Sequence, residues 1–123
     1  MTFQDDLKAY LVTQGLMSST DTKEYYDEAT TTNLICLSQY DSSPDIGRIS
    51  MQFLCRDNDL TVCITKLNNI YNHFFDVYQP LPVYKEINGT KCLFNPLTTA
   101  TFLKKVGAVY YYVMNMEIWK QKQ

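Results

Sequence analysis

The chain has 123 residues, of which 46% are hydrophobic, 14% aromatic and 20% charged, and its formal net charge is −2. This length fits one domain with a core of its own, and the lack of a basic run argues against nucleic-acid binding as the main role. The first residues lack the apolar stretch of a signal peptide, and the longest apolar run, 109–114, is too short to span a bilayer. We therefore expect a soluble protein made in a cytoplasm, with no membrane partner.

The first half of the chain is predicted to hold one helix and two strands. Apolar residues recur at helical spacing over about 2–14, and Gly15 suits the helix end. A short strand around Tyr25 and Tyr26 stays undecided. The segment 33–40 reads as a strand, and the polar segment 41–47 as a loop that leads into a second strand.

The second strand, which starts at Arg48, alternates between apolar and polar residues. A period of two predicts a strand with one buried face. The other face carries arginine and glutamine, which fits either solvent or contact with a protein partner. The predicted inner set is Ile49, Met51, Phe53 and Cys55, and the outer set is Arg48, Ser50, Gln52 and Arg56.

A longer helix is predicted over about 59–76, because the apolar period changes there from 2 to 3.6. Asp57 or Asp59 is suited to cap its start. The apolar stripe of this helix consists of Leu60, Cys63, Ile64, Leu67, Ile70, Tyr71 and Phe74.

The last part of the chain is predicted to contain three strands. Asn88-Gly89 is a strong two-residue hairpin turn between strands over 83–87 and 90–94. A loop over 96–100 and a turn over 102–107, around Lys104 and Lys105, lead to a final strand over 108–119. Residues 1–123 are thus predicted to form a single α+β domain of two layers. A mostly antiparallel sheet carries one long and one short helix on one face.

The cysteines are predicted to be buried, reduced thiols. No two of them form a closely spaced pair, and the only histidine is His73, whereas zinc sites use closely spaced ligands. We expect no metal and no cofactor. A catalytic pair between His73 and a cysteine distant in sequence stays open. The four cysteines are Cys36, Cys55, Cys63 and Cys92.

The element order, together with "LICLSQYDSSPDIG", "ISMQFLCRDND", "LTVCITKLNNIYNHF" and the final "YYYVMNMEIW", resembles the tail-terminator, minor capsid and tail-completion proteins of long-tailed bacteriophages. In that family a Pro-bearing loop precedes a strand with Gln and Arg at set positions, which Pro44, Gln52 and Arg56 match. Asn115 matches an Asn common in the last strand. Lys104-Lys105-Val106-Gly107 departs from the acidic-Gly-Arg turn that the family often has before this strand.

The resemblance implies a structural protein without catalysis, located in the virion tail or neck and in the host cytoplasm during assembly. It would form a ring with itself, commonly a hexamer, that caps the head-proximal end of the tail tube and ends tube polymerisation. The ring would contact the tail-tube protein and the head connector or stopper protein. Residues expected at its assembly interface are Arg48, Gln52, Arg56, Asp41, Asp45, Lys104 and Lys105.

Two alternatives remain open from the sequence. The chain would serve as the head-connector or stopper subunit of the same particle, which differs from a terminator only in its neighbours. Otherwise it is a small ligand-binding or enzymatic α+β domain, which needs polar groups converging on a pocket between helix and sheet.

Overall fold

A computed structural model describes residues 3–18, 34–43, 47–75, 78 and 82–121. Two helices pack on one face of an antiparallel sheet, so the predicted two-layer α+β class is confirmed. The possible strand around Tyr25 and Tyr26 lies outside the described residues. In chain order the elements are α1 (Phe3–Thr13), β1 (Leu34–Ser43), β2 (Arg48–Asp57), α2 (Leu60–His73), β3 (Val83–Ile87), β4 (Thr90–Pro96), β5 (Thr101–Val106) and β6 (Val109–Lys120).

Strand β6 is the central strand of the sheet, whose order is β1-β2-β6-β4-β3. One edge of β6 pairs with β2 along its whole length. The opposite edge is shared, because β4 pairs with Met116–Lys120 and β5 pairs with Val109–Val113. This long central strand therefore connects two pieces of sheet that lie at its two ends.

The main core lies between the helices and the sheet face that we call the inner face. On β2 the residues predicted to point inward do so, and they pair across the sheet with the alternate residues of β6. Burial of this apolar surface is the main favourable contribution to folding. The buried residues at its centre are Leu7, Leu11, Met51, Phe53, Cys55, Cys63, Leu67, Ile70, Phe74, Phe94, Met114, Met116 and Ile118.

Both helices lie where the sequence predicts them, but α2 is shorter than expected. It has 14 residues against 11 for α1, so the contrast between a long and a short helix is small. Asp59 caps α2 by accepting a hydrogen bond from Thr61 N at 2.9 Å, as expected of an N-cap residue. At the other end, Phe74 N–H bonds to Tyr71 O, three residues back, which closes the helix. Leu60, predicted to be on the apolar stripe, is exposed.

The prediction of a turn over 102–107 is wrong, because most of this segment is strand β5. The turn is only Gly107-Ala108, where Gly107 has φ +59°, and Val106 pairs with Val109 across it. Lysines disfavour strands, but pairing with β6 overrides that preference at Lys104 and Lys105. Four strands rather than three therefore follow α2.

The two other predicted connections have different outcomes. The Asn88-Gly89 hairpin is confirmed, and both turn residues have the positive φ that such a turn requires, at +47° and +83°. The predicted loop over 41–47 is shorter than expected, because β1 continues to Ser43 after an irregularity in register between Gln39 and Asp41.

Candidate protein-interaction surfaces

The outer face of the sheet, which is the face turned away from the helices, changes character along β2 and β6. Side chains directly opposite each other on an antiparallel pair lie close enough to interact. The polar half of this ladder lies toward the start of β2, and the apolar half lies toward its end. In order, the outer pairs are Arg48–Trp119, Ser50–Glu117, Gln52–Asn115, Leu54–Val113 and Arg56–Tyr111.

The polar half is held by hydrogen bonds between the two strands. Gln52 Nε2 donates to Asn115 Oδ1 at 3.2 Å. Glu117 bridges two neighbours, because its carboxylate accepts from Arg48 Nη1 at 3.4 Å and from Trp119 Nε1 at 3.0 Å. The orientation of the Trp119 indole is therefore set by a carboxylate that is itself bound to an arginine.

The other end of the same face is buried. Leu54, Tyr111 and Val113 form a second, small apolar cluster, and Arg56 is fully buried next to it. Arg56 was expected at an assembly interface on a polar face. The chain itself encloses this side chain, so its guanidinium group is not offered at the surface.

Beyond Arg48, a row of side chains on the outer face runs across the sheet. Tyr84 on β3 pairs with Leu93 on β4. Leu93 also lies beside Trp119 on β6, and Trp119 pairs with Arg48 on β2. Tyr84 is 56% exposed and Leu93 is 42% exposed, whereas Trp119 is half-buried. We call Tyr84, Leu93, Trp119 and Arg48 the outer row. Tyr, Trp and Arg are the residues enriched at the energetic centres of protein interfaces.

Strand β5 exposes apolar side chains on both faces of the sheet, since Phe102 pairs with Tyr112 on the inner face and Val106 pairs with Val109 on the outer face. Phe102, Leu103 and Val106 are each between 43% and 55% exposed, and we call these three residues the β5 patch. Phe102 packs edge-to-face on Tyr112, with ring centroids 5.6 Å apart. A strand that pairs on one side only, as β5 does among the described strands, is a site where another chain can attach.

The two lysines of β5 lie over aromatic rings of β6. Lys104 Nζ is 5.1 Å from the centre of the Tyr111 ring, and Lys105 Nζ is 4.8 Å from that of Tyr110. Contacts of this kind attract a cation to the face of a ring. They hold the Lys104 ammonium group on the outer face and the Lys105 ammonium group on the inner face, so each face of β5 combines an exposed apolar side chain with a positive charge.

The predicted interface residues fall into three groups. Gln52 lies in the polar half of the outer face and Arg48 at its end, and Arg56 lies buried at the opposite end of the same face. Lys104 and Lys105 are on β5, and Lys104 lies on the other side of Tyr111 from Arg56. Of the two aspartates, Asp41 is on β1 with its side chain outside the described part of the structure, and Asp45 is outside the described residues.

Sequence reasoning missed most of the outer row and of the β5 patch. The Asn88-Gly89 turn predicts that Tyr84 lies opposite Leu93, so half of the row follows from a local signal. Similarly, Gly107 marks a turn that would have indicated β5. The neighbour of Leu93 on the other side, Trp119, depends on a pairing between distant segments and has no local signal.

The groups that suit acid–base chemistry meet where the two helices touch. The Tyr10 hydroxyl on α1 is hydrogen-bonded to His73 Nε2 on α2 at 2.6 Å. Burial raises the pKa of Tyr10. Burial and the nearby Lys85 ammonium group lower the pKa of His73. At neutral pH the pair is therefore a neutral hydrogen bond that joins the helices.

The three thiols that the structure describes are reduced and buried. Cys63 Sγ donates to Cys55 O at 3.5 Å, and contact between the two thiols raises the pKa of Cys55, with burial adding to the rise. Burial raises the pKa of Cys92 to about 11. Cys63 and His73 lie at opposite ends of α2, about 15 Å apart along its axis. These two side chains therefore do not form a nucleophile–base pair.

The described residues contain no cluster of three or more His, Cys, Asp or Glu side chains that could hold a metal ion. No helix in the described part of the chain has the length and hydropathy needed to cross a membrane. No protein-family model, curated protein or solved structure matches the chain.

Proposed function

We propose that this chain is a structural subunit of a bacteriophage tail, and that it assembles as a ring on the head-proximal end of the tail tube. The ring ends tube polymerisation and presents the surface to which the head joins. The order of helices and strands is one support for this proposal, since the resemblance to tail-terminator and tail-completion proteins depends on it. The mechanism requires docking between proteins and no bond-making step.

The observation that carries the proposal is the pair of separate exposed surfaces, the outer row and the β5 patch. A ring of identical subunits joined head to tail needs two different surfaces on each subunit, one for each neighbour. Isolated exposed apolar residues are ordinary, but groups of large ones on a small domain are typical of interaction sites. Here each group contains at least two large apolar side chains that are about half exposed.

The polar half of the outer face supports this role by making the outer row rigid. Glu117 holds both Arg48 and Trp119, and the Gln52–Asn115 hydrogen bond ties the two strands one step further along. Side chains that are already held in place lose less conformational entropy when a partner docks. Under this proposal Gln52 supports the interface from beside it, and Arg48 forms one end of it.

The proposal is tested by adding the purified chain to isolated tail tubes of long-tailed phages and to growing tubes. We expect rings on one tube end in negative-stain images, a ring mass in native mass spectrometry of the complex, and shorter tubes when the chain is present during polymerisation. Purified head-connector complexes are the parallel arm. Binding to connectors without binding to tubes would assign the stopper role. A chain that binds neither and leaves tube length unchanged would refute the proposal.

A further inference from the structure

We propose that Cys55 and Cys63 are a dithiol pair that a small peroxide, such as hydrogen peroxide, oxidises to a disulfide bond. The bond would join the end of β2 to the first turn of α2. This inference concerns a modification site in the core, so it goes beyond the proposed function and does not depend on it. It rests on the positions of the two sulfur atoms, which the fold brings together.

The two thiols meet because the chain turns directly from β2 into α2. Asp59 N donates to Asp57 Oδ1 at 2.8 Å, and Asp59 then caps the helix, so the first turn of α2 lies against the inner face. Cys63 Sγ lies 3.5 Å from Cys55 O and 3.8 Å from Tyr110 O. The two side chains also contact each other. A disulfide therefore requires the sulfur atoms to close by side-chain rotation, with β2 and α2 left in place.

The surroundings of the two sulfur atoms give them different roles. A hydrogen bond from the Cys55 thiol lowers the pKa of Cys63, against the effect of burial. Among the neighbouring charges, the Lys66 ammonium group also lowers this pKa, whereas Asp57 and Asp59 raise it. Cys63 lies in the first turn of α2, where the helix dipole favours a thiolate. The hydrogen bond between the thiols raises the pKa of Cys55. Cys63 is thus the nucleophile, and Cys55 is the thiol that resolves the intermediate.

A small oxidant reaches this pair through the start of α2. Both side chains are fully buried, but residues 58–61, which lead into the first turn, are all exposed. The ends of helices open locally at a lower free-energy cost than the core does, and Cys63 lies at such an end. Oxidation is therefore expected to be slower than that of a free thiol, and a small peroxide is favoured over a bulky disulfide such as oxidised glutathione.

The reaction balances with one molecule of hydrogen peroxide. The Cys63 thiol loses its proton to water, and the thiolate attacks one peroxide oxygen, so that the O–O bond breaks, a sulfenic acid forms and hydroxide leaves. This hydroxide takes the proton of Cys55. The Cys55 thiolate then attacks Cys63 Sγ, which forms the S–S bond and releases a second hydroxide that takes up the proton lost by Cys63. The two thiols have given two electrons to the peroxide, and two molecules of water are the other product.

Cys92 is an internal control, because it is as buried as the pair but has a different neighbour. It is 2% exposed, and its thiol donates to Thr90 O at 3.4 Å. It pairs with Lys120 of β6, whereas Cys55 pairs with Tyr112, so the two cysteines are about 25 Å apart along β6. Burial raises the pKa of Cys92 to about 11. Cys92 is therefore expected to remain a thiol.

The inference is tested by treating the folded, reduced chain with hydrogen peroxide, removing the peroxide with catalase and alkylating the remaining thiols in urea. We expect a loss of two alkylated thiols per chain, with full recovery after reduction by dithiothreitol. Trypsin cuts between the two cysteines, after Arg56, so they lie in separate peptides, 49–56 and 57–66. Mass spectrometry should show these two peptides joined and Cys92 alkylated. The same treatment of the unfolded chain in urea is the control for the fold and should give a mixture of cysteine pairs.

Single variants separate the roles of the two thiols. Cys55→Ser should leave Cys63 as a sulfenic acid that a 1,3-dione probe such as dimedone captures, because the resolving thiol is absent. In Cys63→Ser, Cys55 should stay alkylatable. Cys92→Ser is the matched control and should form the bond between Cys55 and Cys63 at the wild-type level. Circular dichroism checks that each variant folds, and the peptide map of the wild-type chain decides the question where one does not.

Two outcomes would overturn the inference. One is a folded chain whose main linked pair includes another cysteine, or whose mixture of pairs matches that of the unfolded chain. The other is a folded chain whose thiols stay fully alkylatable after prolonged exposure to peroxide at a concentration that oxidises free cysteine completely. Neither outcome bears on the capping of tail tubes, which is measured separately.

Discussion

The inner and outer faces of β2 and β6 use the same two strands in different ways. The inner face of β2 is apolar from Ile49 to Cys55, and helices cover it. The outer face has a buried end at Arg56, a hydrogen-bonded middle at Gln52 and a half-buried end at Trp119, beside the exposed Leu93. An alternating sequence pattern therefore identifies the inner face well, but it treats the outer face as one environment when the fold divides it into three.

This difference follows from what each face requires. A buried apolar face needs only hydrophobic residues at every second position. The environment of an outer-face residue depends on which distant side chains come to lie beside it. Gln52 and Arg56 are both polar residues of the same face, yet Gln52 is half-buried in a hydrogen bond and Arg56 is fully enclosed. Substitutions at individual residues of β2 therefore test directly whether the outer face is divided in this way.

The largest effect is expected on the inner face. Phe53→Ala should lower the free energy of unfolding by about 3–5 kcal/mol, because it empties a fully buried core position. Urea denaturation followed by circular dichroism measures this change. Phe53→Leu, which keeps most of the volume, is the control and should lose much less. Equal losses for both variants would contradict a cost that follows the volume removed.

Arg56→Ala tests the buried end of the outer face. If Arg56 lay at an exposed assembly interface, as the resemblance implies, this substitution would leave the fold intact and weaken assembly. Burial of the side chain now predicts a loss of about 2–5 kcal/mol, since a large packed side chain is removed. Urea denaturation of Arg56→Ala and Arg56→Met shows how much of the loss in stability comes from packing and how much from charge. Unchanged stability in Arg56→Ala would contradict the burial of this residue.

Gln52→Ala tests the middle of the outer face. Gln52 directly precedes Phe53 in β2, so the two variants compare the outer and inner faces at adjacent positions. It removes one half-buried hydrogen bond to Asn115, so we expect a loss of about 0.5–1.5 kcal/mol. The double variant with Asn115→Ala closes a thermodynamic cycle. If the two single losses simply add, the hydrogen bond contributes nothing to stability.

The contact between the helices should make stability depend on pH. The pKa of His73 in the folded protein lies below its unfolded value of 6.5, so the unfolded chain takes up a proton first as pH falls. Stability should therefore decrease as pH drops from about 7 through 6.5 toward the folded pKa. The Tyr10 hydroxyl and the Lys85 ammonium group face this imidazole. Urea midpoints at pH 7.5 and 5.5 should differ more in wild type than in His73→Gln.

The smallest effect on stability is expected at the exposed end. Leu93→Ser should change the free energy of unfolding by about 0.5 kcal/mol or less, as is usual for surface positions. Its effect should appear in assembly, as fewer rings on tail tubes. A loss above 2 kcal/mol in urea denaturation would mean that Leu93 belongs to the core and that the outer row is not an open surface.

The parts of this fold that the sequence predicted are those with local signals. The stripe of α2, the inner face of β2 and the turn at Asn88 each depend on residues close in sequence. Strand β5 was missed because Lys104 and Lys105 weaken its local strand signal, which pairing with β6 overrides. Likewise, the burial of Arg56 depends on Tyr111, which is 55 positions away in the chain and adjacent only because β2 pairs with β6.

The short connection between β4 and β5, residues 97–100, affects how β5 is held. At this break Leu97 N donates to Asn115 O, Asn115 N donates to Thr98 Oγ1, and Ala100 N donates to Asn68 Oδ1 of α2. Residues 97–100 are thus hydrogen-bonded both to β6 and to α2, so the start of β5 is fixed by the helix layer as well as by the sheet.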